Sequence, residues 1–435
     1  MNVIIGTGPA GISAAYHLHQ RGEPYFLIDK QKKIGGLCQS FTLANATFDI
    51  GGHAFFTKHT YVRDLLEKIA FEPFYKQPRS AWVYSHNVYV PYPFQANLYG
   101  LPQEVIEECL IGLVEAVKTP SISPPQNIQE WIYQSFGEGI AKHFMIPYNE
   151  KIWAHPLDIV SPNWASDRII EPDYQSILSG ALYRKDFRNY PNAIVTYPGR
   201  GGYERIVEYL ASDLDLKNNF IEGEVASIDV NKHILTLSCG QAFTYTNLIS
   251  TIPLNELVQK TIEVEYPVIT AAQKLKAFSL YLVNLVIKRH STSTDMQRIY
   301  CANPEVPFHK LVMNANSSQS LREEGLFTYQ AEVSFSSYKQ IQKNNLEQQV
   351  IKSLQKMDLL KVNESILASS LVEVPLAYPV YTSDWLTARQ TIFSYFEPHG
   401  VICAGRFGEW LYINADDAIM RGKIAADKII QGNNP

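Results

Sequence analysis

Asn2-Val3-Ile4-Ile5-Gly6-Thr7-Gly8-Pro9-Ala10-Gly11-Ile12-Ser13-Ala14-Ala15 decides the fold class. Val3 to Ile5 reads as a buried strand, Gly6, Gly8 and Gly11 as a tight GxGxxG turn, and Ser13 to Arg21 as a helix that Gly22 ends. Tyr25 to Ile28 follows as a second strand closed by Asp29. Strand, turn, helix and strand make a βαβ unit, so the sheet here is parallel. The three glycines do different things. The first permits the bend, the second lets backbone amides reach a pyrophosphate, and the third lets helix and strand pack. The helix start is electropositive and suits that pyrophosphate. Asp29 stands eighteen positions after Gly11 and would accept the ribose hydroxyls of an adenosine. A glycine triplet alone is a weak signal. The strand before it, the helix after it and the acid at that distance are what a ligand-free turn has no use for.

Further glycine signals surround the first. Gly35-Gly36 and Gly51-Gly52-His53 follow it, and Ala404-Gly405-Arg406-Phe407-Gly408 appears near the C-terminus after the apolar Val401-Ile402-Cys403. A helix is expected from Asp416 to Ile430, with Asp416 as its cap. Two glycine-rich helix starts at opposite ends of the chain suit a long dinucleotide such as FAD, one at the pyrophosphate and one facing the flavin. Between them, residues 101–118 have helical apolar spacing (Val105, Ile106, Leu110, Leu113), and a Pro/Ser loop follows. Short strands are expected over Glu222 to Val230, His233 to Ser238 and Ala242 to Ser250, with more strands across 276–335 and a helix from Leu346. The fold class expected is α/β: a doubly wound, Rossmann-like FAD-binding lobe, an inserted helical lobe and a mixed or antiparallel sheet lobe. The lobes divide as 1–90 with about 195–255 and 395–435, about 91–190, and about 256–394.

Composition narrows the function classes. The chain has 435 residues, 46% hydrophobic and 19% charged, a net charge of −5 and a pI near 6.1, which points away from nucleic acid. Cys38, Cys109, Cys239, Cys301 and Cys403 are too scattered for a metal site or a disulfide framework, so buried thiols in a reducing compartment are expected, and no metal. The chain opens directly on a strand, and its longest apolar run, Phe278 to Ile287, is broken by Asn284. A cytoplasmic protein without a membrane segment is expected. Homo-oligomerisation is left open.

Several longer stretches carry a resemblance. GTGPAGISAA, IGGL, FDIGGHAFF, VPYPFQANL, FMIPYNEKIW, YPGRGG, GRFGEWLY and NADDAIMRG are similar, in the same order, to UDP-galactopyranose mutases, particularly the eukaryotic-type branch. The glycine motifs are shared with many FAD amine-oxidase-like proteins; VPYPFQ and PYNEKIW lie outside the cofactor fingerprint and are more specific. The resemblance implies an FAD-dependent isomerase whose flavin, once reduced, attacks the anomeric carbon of a UDP-sugar through N5. UDP leaves, and the flavin–sugar adduct recloses as the other ring form. It also implies site residues. Tyr92, Phe94 and Gln95 would hold uridine, with Asn149 and Trp153 beside the uridine and sugar. Arg168, Tyr300, Lys310, Tyr378, Tyr412 and Asn414 would surround the diphosphate. Gly6, Gly8, Gly11, Asp29, Gly35, Gly36, Gly52, His53, Val225, Gly405, Arg406 and Asp416 would hold FAD. Arg168, Lys310 and His53 would carry the catalytic work. Arg79 matches a contact to the phosphate of NADPH, which makes NAD(P)H a candidate reductant.

The match has departures. Lys310 stands where the family has an arginine, keeping the charge but losing the two-pronged fork. Ala81 replaces an expected serine. With 26 tyrosines and 20 phenylalanines, any single aromatic is more often core than ligand, and Trp164 and Phe144 read as packing. Two other readings stand beside the mutase: a flavin oxidase or desaturase of the amine-oxidase type, and an FAD-binding homologue without catalysis.

Overall fold

The computed structural model describes residues 1–432 apart from 122, 166–168, 170–172, 185–193 and 289–294, and apart from the side chains of 319 and 322. It is a mixed α/β structure. Its first layer is a five-stranded sheet in the order Val401–Cys403, Asn247–Ser250, Asn2–Ile5, Tyr25–Asp29, Phe220–Glu222, every neighbouring pair parallel. The helix Pro9–Gln20 joins Asn2–Ile5 to the parallel strand Tyr25–Asp29 and packs against the closing helix Ala415–Gly432. It starts earlier than the apolar spacing suggests, because proline at the first helical position needs no hydrogen-bonded N–H.

The glycines show why the turn is read correctly from spacing. A Cβ on Gly11 would lie 1.9 Å from Gly6 O, which locks helix to strand at backbone contact. Gly6 has φ +98°, a conformation that side chains other than glycine rarely adopt.

The second layer is a seven-stranded sheet in the order Ile366–Val380, Lys276–Lys288, Leu326–Phe335, Lys310–Val312, Arg298–Cys301, Ala81–Ser85, Val88–Pro91. Its pairs are antiparallel except Arg298–Cys301 beside Ala81–Ser85. The hairpin 81–91, grouped by sequence with the nucleotide-binding part, thus hydrogen-bonds into the mixed sheet. Helices Gln103–Lys118, Ile128–Ile140 and Ile146–Trp153 pack beside it around Phe94, Phe144 and Trp153.

The expected strand Ala242 to Ser250 is two strands. Ala242–Thr244 closes an antiparallel meander with Val225–Asp229 and Ile234–Leu237, while Asn247–Ser250 joins the parallel sheet beside Asn2–Ile5. Tyr245 and Thr246 make the break: their amides bond His233 O and Met1 O, residues that immediately precede a strand of the meander and a strand of the parallel sheet. No helix of the described residues is long and apolar enough to cross a membrane.

Candidate active site

A cavity of about 1070 Å³ opens between the two sheets. Its floor is the parallel sheet's carboxyl edge, where Gly6, Gly8 and Asp29 face it with Gly36, Gly52 and His53. No side chain caps the helix Pro9–Gln20, so the amides of its first turn are left for a ligand. Gly8 has no neighbour in the protein that would require a glycine. A Cβ there would meet nothing within 4 Å, so protein packing gives no reason for glycine, whereas a pyrophosphate laid on the backbone does. Asp29 accepts Thr7 N at 2.8 Å, Thr7 Oγ1 at 2.7 Å and Gln31 N at 2.9 Å. A carboxylate has about four acceptor positions, so room remains for a ribose hydroxyl. These residues fit FAD.

Val225, Gly405 and Arg406 also line the cavity. Arg406 donates to Ile413 O at 2.9 and 2.7 Å and to Ala377 O at 3.2 Å, and its guanidinium lies 4.3 Å from the centre of the Tyr378 ring. Gly11, Gly35 and Asp416 stand behind the lining. Asp416 is not the helix cap: Ala418 N bonds Asn414 O, so Asn414 takes that place and Asp416 falls in the first turn. An acid there still favours the helix start.

The wall belongs to the mixed sheet and its helices. Tyr92, Gln95, Asn149, Tyr300, Lys310, Tyr378, Tyr412 and Asn414 all face the cavity. Tyr92 and Tyr300 lie 4.8 Å apart between ring centres, and Tyr378 stacks on Tyr412 at 4.4 Å. Phe94 and Trp153 do not line it. Phe94 is fully buried against Phe144 at 4.9 Å, and Trp153 gives Nε1 to Asn149 Oδ1 at 3.2 Å, orienting that amide from behind. Arg168 lies outside the described residues. The two aromatics read as packing, Trp164 and Phe144, both reach the cavity, and Trp164 Nε1 is buried with no hydrogen-bond partner among the described residues.

Spacing also passed over several residues. Tyr148, Tyr203, Arg298 and Glu332 line the cavity. Arg298 and Tyr300 alternate on one strand and so share a face, the one local signal that could have found the arginine. Glu332 sits opposite Lys310 in the sheet register and accepts its Nζ at 2.8 Å and Gly52 N at 2.7 Å. Lys310 is therefore half of a buried ion pair, not a bare cation. Burial would raise the Glu332 carboxyl, but Lys310 and His309 hold it well below the usual range.

His53 stacks on Tyr203 at 4.4 Å, and its carbonyl takes a hydrogen bond from Arg298 Nη2 at 2.6 Å. Burial first, then the Arg406 and Lys310 charges, push its imidazole down to about 3, so it is neutral across the physiological range. Tyr92 is pushed up to about 12, mainly by burial. Burial would raise Tyr300 as well, but Arg79, Arg298 and Lys310 together bring it below the ordinary tyrosine value.

The solved structure of a reduced UDP-galactopyranose mutase superposes over 100% of this chain and 96% of its own, with a TM-score of 0.95 and 28% identity. Cyclohexylamine oxidase from Brevibacterium oxydans covers 100% and 99% with a TM-score of 0.70 and 14% identity, a likeness of fold alone. An L-amino acid oxidase of Crotalus durissus cumanensis is 28% identical over 88 residues, 20% of this chain and 18% of its own length. Hydroxysqualene dehydroxylase of Sinorhizobium fredii is 36% identical over 80 residues, 18% of this chain and 19% of its own. The chain's match thus spans less than a fifth of these curated relatives. The family described as flavin containing amine oxidoreductase matches residues 9–430, nearly the whole length. This flavoprotein, with a glycine-lined floor that fits FAD, belongs to that family.

Proposed function

We propose that the protein is a flavin-dependent nucleotide-sugar mutase that interconverts the pyranose and furanose forms of a UDP-sugar, UDP-galactose first among them. The observation that carries this reading is the full-length likeness to reduced UDP-galactopyranose mutase, which extends beyond the cofactor floor to the aromatic wall. FAD in its reduced state supplies the nucleophile toward the anomeric carbon, and NAD(P)H is the reductant this reading takes.

The chain's own residues do the rest. Tyr92, Gln95, Phe144 and Tyr148 form a partly aromatic wall suited to a uracil. Asn149, fixed by Trp153 Nε1 at 3.2 Å and by its own Nδ2 bond to Met145 O at 2.7 Å, offers a fixed edge to the uridine or sugar. Tyr378 and Tyr412 stand as a stacked pair at the mixed-sheet end, where phenol hydroxyls can donate to a departing diphosphate. Neutral His53 keeps the floor free of an added positive charge and can serve as a hydrogen-bonding group near the reacting carbon. The cavity lies between the two sheets, and where a bound substrate displaces water from it each of these interactions is strengthened.

A flavin oxidase of the amine-oxidase type is the second reading, and the family match with its L-amino acid oxidase relatives favours it. One anaerobic experiment separates the two. Dithionite-reduced protein given UDP-galactofuranose should yield UDP-galactopyranose by chromatography, and oxidised protein should yield none. No interconversion, together with an amine that bleaches the oxidised flavin and consumes oxygen on each turnover, replaces the mutase with the oxidase.

A further inference from the structure

The stretch Pro147-Tyr148-Asn149-Glu150-Lys151-Ile152-Trp153 carries a buried charge that the proposed chemistry does not use. Lys151 lies on the helix Ile146–Trp153 and is only 8% exposed. Its ammonium donates to three main-chain carbonyls, Val306 O at 2.8 Å, Cys301 O at 3.0 Å and Asn303 O at 3.0 Å. Among the described residues no carboxylate pairs with it. All three acceptors belong to one stretch, 301–306, which leads from the strand Arg298–Cys301 toward the strand Lys310–Val312. The first strand carries Tyr300 and the second begins with Lys310, directly opposite it. On the helix, Tyr148 stands three residues before Lys151 and so on the same side. Its ring lies 6.0 Å from that of Tyr300 and 6.4 Å from that of His309. The helix and the hairpin that wall one side of the cavity are thus joined at Lys151, within one turn of the cavity-facing Tyr148 and Asn149.

Packing alone does not account for a lysine here. A buried ammonium without a counter-charge is costly, and burial pulls Lys151 down to about 8. A methionine or leucine would fill the same space without that cost. The ammonium offers three N–H donors spreading from a single atom, one for each carbonyl. An arginine fork is planar, and a glutamine amide has only two donors. We infer that Lys151 is a positioning residue: it holds the 301–306 turn against the helix and so sets the gap between Tyr148 and Asn149 on one side and Tyr300 on the other. The inference rests on the nucleotide-sugar reading for what enters that gap, a UDP group, and on the geometry alone for the tie itself.

The test uses FAD-loaded protein and reads the tie and its consequence separately. Amide hydrogen exchange reads the tie without any ligand. In Lys151→Met the amides of Cys301, Val306 and His309, which bond His309 O, Asn303 O and Glu332 O, should exchange about tenfold faster, while those of the strand Asn2–Ile5 keep their rate. Titration with UDP reads the consequence. Its affinity should fall about tenfold or more, because a small misplacement is costly to a ligand held from two sides. With dithionite-reduced protein, KM for UDP-galactofuranose should rise by a larger factor than kcat falls. Should Lys151→Met fail to fold, Lys151→Gln takes its place, with smaller shifts because two of the three donors remain. Lys151→Ala given ethylammonium, which brings three N–H donors, should regain UDP affinity, and the same variant given tetramethylammonium, which brings none, should not. Recovery with both overturns the inference and leaves Lys151 as a filler of space. Unchanged exchange in Lys151→Met overturns the tie, and faster exchange with unchanged UDP affinity overturns the positioning role. A wild type that binds UDP without interconverting UDP-sugars removes the mutase reading and leaves Lys151 to be decided by exchange and affinity. A wild type that binds no UDP removes the nucleotide reading and with it the occupant of the gap, while exchange still decides the tie.

Discussion

The floor and the wall of the cavity are built on different principles. The floor is backbone: a parallel sheet edge, a helix start with no side-chain cap, and glycines whose missing Cβ atoms set the clearances. The wall is side chain: charged groups, among them the Lys310–Glu332 pair, and a series of aromatics, largely from strands that are remote in sequence and adjacent in the mixed sheet. A backbone site tolerates almost any sequence around it but no added carbon at its contact points. A side-chain site tolerates changes of shape but not an unpaired charge. The two halves should therefore fail in different ways.

The largest effect is expected in the wall. Lys310→Met leaves Glu332 buried at 3% exposure and without its ammonium partner, at a cost of about 3–5 kcal/mol in urea unfolding. Adding Glu332→Gln removes the orphan charge while keeping an acceptor for Gly52 N, and should recover at least about half of that loss. If the double variant is as unstable as the single one, charge pairing is not what holds the wall together.

The floor should break on contact distance. Gly11→Ala puts a methyl group 1.9 Å from Gly6 O and should cost about 3 kcal/mol, visible as a lowered Tm. Gly8→Ala adds the same methyl group in open space at φ −69°, so the apoprotein should be as stable as wild type or slightly more so. Its affinity for FAD should nevertheless fall about tenfold or more, because the methyl occupies the place of the pyrophosphate. Equal FAD affinity in Gly8→Ala would take the pyrophosphate off this turn.

The smallest effect lies where the halves meet, at His53. Its imidazole titrates near 6.5 in the unfolded chain and near 3 in the folded one. The folded state therefore disfavours the proton, and the stability linked to His53 is present above about pH 6.5 and is lost as pH falls toward 3. Between pH 7.5 and 4.5 this amounts to about 2–3 kcal/mol in the wild type. His53→Asn should lose that much less over the same interval in urea unfolding of FAD-loaded protein. Parallel pH slopes for the two proteins would mean that the folded imidazole is not held neutral.

Legibility followed the same divide. Asn2 to Asp29 could be read because each of its signals concerns neighbours: apolar run, glycine spacing, helix period, terminal acid. Ala242 to Ser250 could not be divided correctly, since alternation marks a strand without naming its sheet, and the break at Tyr245 and Thr246 comes from bonds to His233 and Met1. Lys310 was visible as a lone substitution, but its partner stands twenty-two residues away on the next strand, where only register makes it a neighbour. Trp164 and Phe144 looked like core because composition makes most aromatics core; which face they turn to the cavity depends on how the helices seat.

Local sequence was thus enough for the α/β class, the uncapped glycine turn whose backbone fits a dinucleotide's phosphates, and the ordered motifs that resemble the mutases. These are consequences of short-range sterics and hydrogen bonding, which a few consecutive residues fully specify. The charge balance of the wall came only with the folded chain. Folding joined Lys310 to Glu332, set Arg79 and Arg298 around Tyr300, and turned Phe94 and Trp153 away from the cavity. Electrostatic energy depends on distance and burial, and neither exists until strands remote in the chain have paired.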